Sequence, residues 1–177
     1  METKVLKKTR LHQGRVFALI RETITLPNGT TVGLDIIRHP GAAAMVPLSE
    51  DGSLVMVRQY RHAIGEYIWE IPAGTLNPDE SPLECAKREL IEETGYSATE
   101  WEELGTIVPV PGYSDEKIHI FLAQGLRPAR QNLDPDEILH VRKIPLEEAL
   151  RMVEKGEIKD SKTISSLFLL GSRLGKE

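Results

Sequence analysis

The run Gly74–Tyr96, GTLNPDESPLECAKRELIEETGY, constrains this chain more than any other stretch, because it marks both ends of a helix and loads one helix face with carboxylates. Ser81 is a good N-cap, Pro82 suits the first helical position, and Glu84 sits where it completes a capping box. Gly95 supplies a residue after the last turn that takes a positive φ. The spacing therefore predicts a helix from Pro82 to Thr94. At about 100° per residue, Glu89, Glu92 and Glu93 share one sector, while Leu83, Ala86 and Leu90 occupy the neighbouring one. One side gathers negative charge and the other packs.

A row of acids on a helix is ordinarily a solvated face. Exposed neighbours of this kind repel by ~0.3 kcal/mol per pair, and Arg88 is the residue placed at i,i+4 to relieve Glu92. Glu80, just before the cap, adds a fourth acid. A loop carrying Pro72, Gly74 and Pro78 puts the cluster beside a constrained turn. Clustered oxygens suit a hard dication: Mg2+ binds through a few carboxylates and keeps room for waters and substrate phosphates. The sign of the field makes the cation necessary. A phosphate charge ~5 Å from one carboxylate is repelled by about 3 kcal/mol at an effective dielectric near 20. The cluster rejects phosphate when bare and attracts it when loaded with metal.

Gly74, Glu80, Arg88, Glu89, Leu90, Glu92, Glu93, Gly95 and Tyr96 match the Nudix hydrolase box, G-x5-E-x7-R-E-U-x-E-E-x-G-U, with Tyr96 at its last bulky apolar position. The flanks resemble one branch of that family, the ADP-ribose pyrophosphatases. Arg58-Gln59-Tyr60-Arg61 is similar to its V-R-Q-aromatic-R run, and Glu70-Ile71-Pro72-Ala73-Gly74 to its E-apolar-P-A-G run. Pro111 stands sixteen positions after Gly95 and opens a P-G-x-S-D-E-K-x-H run also similar to that branch. One departure is Val110, where relatives often carry serine.

The resemblance implies an α+β fold, a Nudix-type α/β/α sandwich with a mixed β-sheet and an N-terminal β-hairpin extension. It implies Mg2+, with Mn2+ able to substitute, held by Glu89, Glu93 and the carbonyl of Ala73, with Glu92 or Glu80 close by. Arg88 would orient the glutamates. Arg61 would clamp the diphosphate, a role its planar two-pronged fork suits. Glu70, which alternates to the face opposite Trp69, is expected to point at the site, and Glu116 to hydrogen-bond near the metals. A loop glutamate, best matched by Glu137 with Asp136 second, would act as general base. Phe17 and Asp35 are candidates to hold the adenine if the N-terminal segment is exchanged between two subunits of a homodimer. The expected reaction is hydrolysis of ADP-ribose to AMP and ribose 5-phosphate, with another nucleoside diphosphate sugar, such as a GDP- or ADP-hexose, as the alternative substrate. A non-catalytic nucleotide sensor, the alternative of another class, would be marked by loss of box acids, and none is lost.

The remaining chain is consistent with that frame. A length of 177 residues suits one domain with a small appendage, divided here as residues 1–40 and 41–177. The 40% apolar and 28% charged content is that of a soluble globular protein. The net charge of −5 and the lack of a basic patch with interleaved aromatics argue against nucleic acid and RNA decapping. Cys85 is the single cysteine, which fits a reducing, cytoplasmic setting. It reads as a packing residue. No segment approaches the ~18 apolar residues of a membrane span.

Arg15–Thr25 and Thr31–Arg38, parted by Pro27-Asn28-Gly29, read as a hairpin. Ala42–Leu48 and Ser53–Gln59 read as two adjacent strands about an Asp51-Gly52 turn. Ile68, Trp69 and Ile71 read as core. Further strands are expected at 101–109, 117–124 and 138–143, with a long loop at 127–137. Pro145–Leu174 reads as two packing helices broken at Lys155-Gly156-Glu157, with Leu146, Ala149, Leu150 and Val153 inward, then Ile164, Leu167, Phe168 and Leu170–Leu174.

Overall fold

A computed structural model of the chain describes residues 2–133 and 138–175. In chain order its elements are β1 (Lys4–Gln13), β2 (Ala18–Thr25), β3 (Thr31–Arg38), β4 (Ala42–Pro47), β5 (Ser53–Arg61), β6 (Glu66–Glu70), β7 (Ala73–Thr75), α1 (Pro82–Thr94), β8 (Tyr96–Ser97), β9 (Glu100–Ile107), β10 (Ile118–Gln124), β11 (Arg127–Pro128), β12 (Leu139–Pro145), α2 (Leu146–Glu154) and α3 (Ser161–Leu174). They form two compact units, Met1–Gly41 with Val108–Lys117, and Ala42–Ile107 with Ile118–Glu177.

The first unit is an antiparallel sheet in the order β1-β2-β3. The β2–β3 hairpin closes at the expected turn, where Gly29 takes φ 86° and donates to Leu26. β1 lies in the 1–40 segment that reads as strands, although no separate run marks it. Its register shifts between Val5 and Lys7 and again between Arg10 and His12, so Leu6 and Leu11 are inserted residues that break the period-two pattern. β2 begins at Ala18 instead of Arg15, because Gly14 donates to the Phe17 carbonyl and turns the chain there. The segment after Ile107 joins this unit through β3: Ile37 donates to Tyr113, Asp115 donates back to Ile37, and Arg38 holds the Asp115 carboxylate at 2.9 Å.

The second unit carries a mixed sheet in the order β7-β4-β10-β9 and an antiparallel sheet in the order β12-β5-β6. β4 and β10 run parallel and the other pairs antiparallel. Parallel central strands are buried on both faces and so read as continuous apolar runs. β4 is buried along its whole length. Ala43, Met45, Phe121 and Ala123 on one face pack on Cys85, Ala86 and Leu90 of α1. Ala44, Val46, Ile120 and Leu122 on the other pack with Leu54 and Met56 of β5, Ala149 and Met152 of α2, and Leu167 and Leu170 of α3. A layer of helix therefore covers each side of the sheet. Ile71 and Ile68 are buried, and Trp69 packs partly buried against the second cluster.

Two sequence expectations are corrected here. β4 and β5 flank a tight turn but are not paired in one sheet; β4 pairs with β10 and β7, while β5 pairs with β12 and β6. The Asp51-Gly52 turn thus passes the chain between sheets, which strands apolar on both faces allow. The tail helices bury a narrower stripe than their leucines suggest. Phe168 is 72% exposed, and Leu150, Ile164 and Leu174 are also exposed. Thr163 and Ser166 take the inward places on α3 with Leu167 and Leu170. Among the described residues no helix is long and apolar enough to cross a membrane.

Candidate active site

Every feature of α1 that its sequence advertised is formed. Ser81 Oγ accepts from the Glu84 amide at 3.3 Å while Glu84 Oε2 accepts from the Ser81 amide at 3.0 Å, a complete capping box. Gly95 ends the helix at φ 70°. The apolar sector seats α1 on β4 and β10, and this turns the acidic sector toward the loop from Glu70 to Gly74.

Arg88 is the hub of that sector. Its Nε and Nη2 donate to the two oxygens of Glu80 at 2.8 and 2.9 Å, and its Nη1 donates to Glu89 at 2.7 Å and Glu92 at 2.9 Å. Three carboxylates converge on one guanidinium whose charge is permanent. The Arg88 hydrogen bonds hold the Glu80 carboxyl down to about 2, against an ordinary 4.5. Reciprocally, Glu80 first, and then Glu89 and Glu92, push the Arg88 guanidinium above its usual range.

Glu93 is buried on the neighbouring flank and accepts from the Ala73 amide at 3.1 Å. The helix is thereby tied to the loop at the residue whose carbonyl is a candidate ligand. Gly74 is needed there for room: a Cβ at this position would collide with Glu89 Cγ, Cδ and Oε1, all inside 3.0 Å. Cys85 is buried, and burial first, then the Glu89 charge, pushes its thiol up to about 12. It packs and is not a nucleophile.

Arg61 and Glu70 form a bidentate pair, Nε to Oε1 at 2.8 Å and Nη2 to Oε2 at 2.5 Å. Glu70 does not face outward; it is 2% exposed. Burial alone would raise its pKa, but the Arg61 bonds and the Lys162 charge outweigh that and hold it below the usual carboxylate range. Sequence reasoning missed the third partner. Lys162 Nζ reaches Glu70 Oε2 at 2.6 Å and Asp160 Oδ2 at 2.9 Å. Asp160 also caps α3 through the Thr163 amide at 2.9 Å, and Thr163 Oγ1 accepts from the Ile71 amide at 2.9 Å. The one local signal is Asp160 ahead of α3; Glu70, the partner of Lys162, lies 92 residues away.

Past Gly95, residues 129–132 are clipped to the end of α1: Ala129 donates to the Gly95 carbonyl, Gln131 to Glu93 and Asn132 to Glu92. Glu137 and Asp136 lie outside the described residues. Phe17, Asp35 and Glu116 belong to the first unit. Phe17 is exposed at the β1–β2 connection, Asp35 is held by Arg21 at 2.7 Å, and Glu116 sits 3.8 Å from His39 Nδ1. Val110 accepts at its carbonyl from Ser114 in the turn.

Among the described residues, no three His, Cys, Asp or Glu side chains converge tightly enough to hold a metal unaided. Glu89, Glu93 and the Ala73 carbonyl nonetheless offer oxygens of the kind a hard divalent cation takes. The donors are hard oxygens beside a glycine that leaves room for them.

A family model, NUDIX domain, matches residues 38–167. The chain belongs to the Nudix family. It is 39% identical over 172 residues to the ADP-ribose pyrophosphatase of Bacillus subtilis, covering 96% of this chain and 93% of that protein. It is 41% identical over 171 residues to the methanol dehydrogenase activator of Bacillus methanolicus, covering 96% and 92%. Among solved structures it resembles one described as an ADP compounds hydrolase, with a TM-score of 0.87, 25% identity, and coverage of 99% of this chain and 96% of that one. Nudix hydrolases generally use divalent metal ions, which accords with the carboxylates gathered on α1 of this Nudix pyrophosphohydrolase.

Proposed function

We propose that the chain hydrolyses the diphosphate of ADP-ribose, giving AMP and ribose 5-phosphate. The observation that carries this reading is the Arg88 hub with Glu89 lodged against Gly74 and Glu93 bound to the Ala73 amide, in a chain so similar to an ADP-ribose pyrophosphatase over nearly its full length.

Glu89, Glu93 and the Ala73 carbonyl would hold Mg2+, or Mn2+ in its place, with Glu92 and Glu80 close by. The bound dication supplies charge neutralisation for the diphosphate and a water of lowered pKa. Arg61 binds a phosphate oxygen and stabilises charge that builds on the diphosphate. Glu70 anchors Arg61 from behind. Arg88 does no bond-making; it keeps Glu80, Glu89 and Glu92 in one orientation while the substrate is absent. Glu137 takes the proton of the attacking water as general base. Water attacks one phosphorus in line and a phosphate monoester leaves. Phe17, with Asp35, would meet the adenine, and Glu116 would hydrogen-bond near the metals, in a cytoplasmic homodimer that exchanges the N-terminal segment.

The test is a panel of nucleotide conjugates, including ADP-ribose and ADP- and GDP-hexoses, incubated with Mg2+ and separated by chromatography. The expected result is AMP and ribose 5-phosphate in equal amounts, fastest from ADP-ribose. Preferred cleavage of a hexose conjugate would replace the substrate. Binding of ADP-ribose with Mg2+ and no product would replace the reaction with sensing.

A further inference from the structure

We propose that Lys162, in the first turn of α3, is a positioning residue: by sharing the Glu70 carboxylate with Arg61, it keeps the outer edge of the Arg61 guanidinium available to the substrate diphosphate. The proposal rests on the pyrophosphohydrolase reading above. Arg61 spends Nε and Nη2 on Glu70, and its Nη1 makes no hydrogen bond among the described residues. The Arg61 side chain is 41% exposed, so one edge is anchored and the other is open.

Glu70 is shared by two cations, Arg61 and Lys162. Glu70 is shut away from water, so a guanidinium facing it with no other partner forms a neutral pair with little field left for an anion. Lys162 Nζ on Glu70 Oε2 at 2.6 Å divides that carboxylate's charge between two cations, while Asp160 brings the four groups to a net charge of zero. Asp160 takes Lys162 from the far side, but its carboxylate also accepts from the Thr163 amide and hydroxyl, at 2.9 and 2.6 Å, as the cap of α3. The same turn is fixed to the residue after Glu70, because Thr163 Oγ1 accepts from the Ile71 amide. The ammonium therefore cannot drift from the carboxylate.

Lys162 helps keep the buried Glu70 carboxylate charged. Lys162 is 9% exposed, and burying an ammonium is costly even when it is paired. An unbranched apolar side chain of similar volume commonly serves packing as well or better. The ammonium there touches Glu70, and through that carboxylate it reaches Arg61.

The experiment is steady-state hydrolysis of ADP-ribose at saturating Mg2+ by wild type, Lys162→Met, Lys162→Arg, Glu70→Gln and the Lys162→Met/Glu70→Gln double variant, each checked by circular dichroism and thermal melting. Lys162→Met is expected to raise KM about tenfold, the loss of roughly one charge-assisted hydrogen bond, with kcat changed less than about threefold. Lys162→Arg, which keeps charge and donors, is expected to stay within about threefold of wild type. The double variant is expected to be no worse than Glu70→Gln, because Lys162 acts through that carboxylate. If Lys162→Met does not fold, Lys162→Gln, which retains a donor for Glu70, carries the same expected rise in KM. An unchanged KM in a folded variant, or losses that add in the double variant, would overturn the proposal. Failure of the wild type to cleave any conjugate would instead overturn the reading of the reaction.

Discussion

Replacing Gly74 with alanine tests the closest approach in the site. The new Cβ would fall inside 3.0 Å of Glu89 Cγ, Cδ and Oε1, whereas carbon contacts settle near 3.5–4.0 Å. The Glu89 side chain must therefore move by about 1 Å or more, and it is a flexible chain that can do so. Folding is then affected modestly, by about 1–3 kcal/mol as in other overpacked positions. Catalysis is affected more, because the displaced oxygen is the one bound to Arg88 at 2.7 Å and assigned to the metal. A misplacement of about 1 Å costs on the order of a hundredfold in rate. The assay is kcat/KM for ADP-ribose at several Mg2+ concentrations beside the melting temperature. A fall of about a hundredfold with a native circular dichroism spectrum is expected. Full activity at ordinary Mg2+ would refute the placement of Glu89 in the reaction.

Other perturbations follow from the same geometry. Glu93→Gln is expected to lower kcat by at least about a hundredfold with a native spectrum, and calorimetric titration with Mn2+ should show weaker binding. Glu80 has a folded pKa of about 2 against an ordinary 4.5. Its contribution to stability is therefore complete above pH ~4.5 and is lost as pH falls toward ~2. Urea midpoints measured in chelator at pH 5 and pH 3 should drop more steeply in wild type than in Glu80→Gln; equal slopes would mean that the Arg88 hub does not set that carboxyl. Cys85, buried and pushed up to about 12, is expected to resist iodoacetamide in the native protein and to react once unfolded. Rapid native labelling, read by mass spectrometry, would count against its packing on Gly74.

The sequence exposed those parts of the molecule whose signals are local. The bounds of α1 were legible because Ser81, Pro82, Glu84 and Gly95 act within a turn of themselves. The acidic sector was legible because helical geometry alone gathers Glu89, Glu92 and Glu93. Strand partners were not: Ala42–Pro47 announces a buried strand but carries nothing that says Ile118–Gln124 lies beside it. β1 lay in a segment read as strands but had no legible bounds, because two inserted residues, Leu6 and Leu11, spoil its alternation. The inward stripe of α3 was misread because Thr163 and Ser166 replace apolar residues in it, Thr163 with its hydroxyl engaged by Ile71 and Asp160. Lys162 was invisible for a related reason. Its partner Glu70 lies 92 residues away, and a lysine near a helix start looks like a solvated charge until the fold closes around it.

Equilibrium binding of a non-hydrolysable ADP-ribose analogue, with a methylene between the phosphorus atoms, measured once with Mg2+ and once in excess chelator, bears most directly on the site. Tight binding with Mg2+ and loss of binding without it is the expected pair of results, since the α1 carboxylates repel the diphosphate until a dication neutralises them. Equal affinity in chelator would contradict the account.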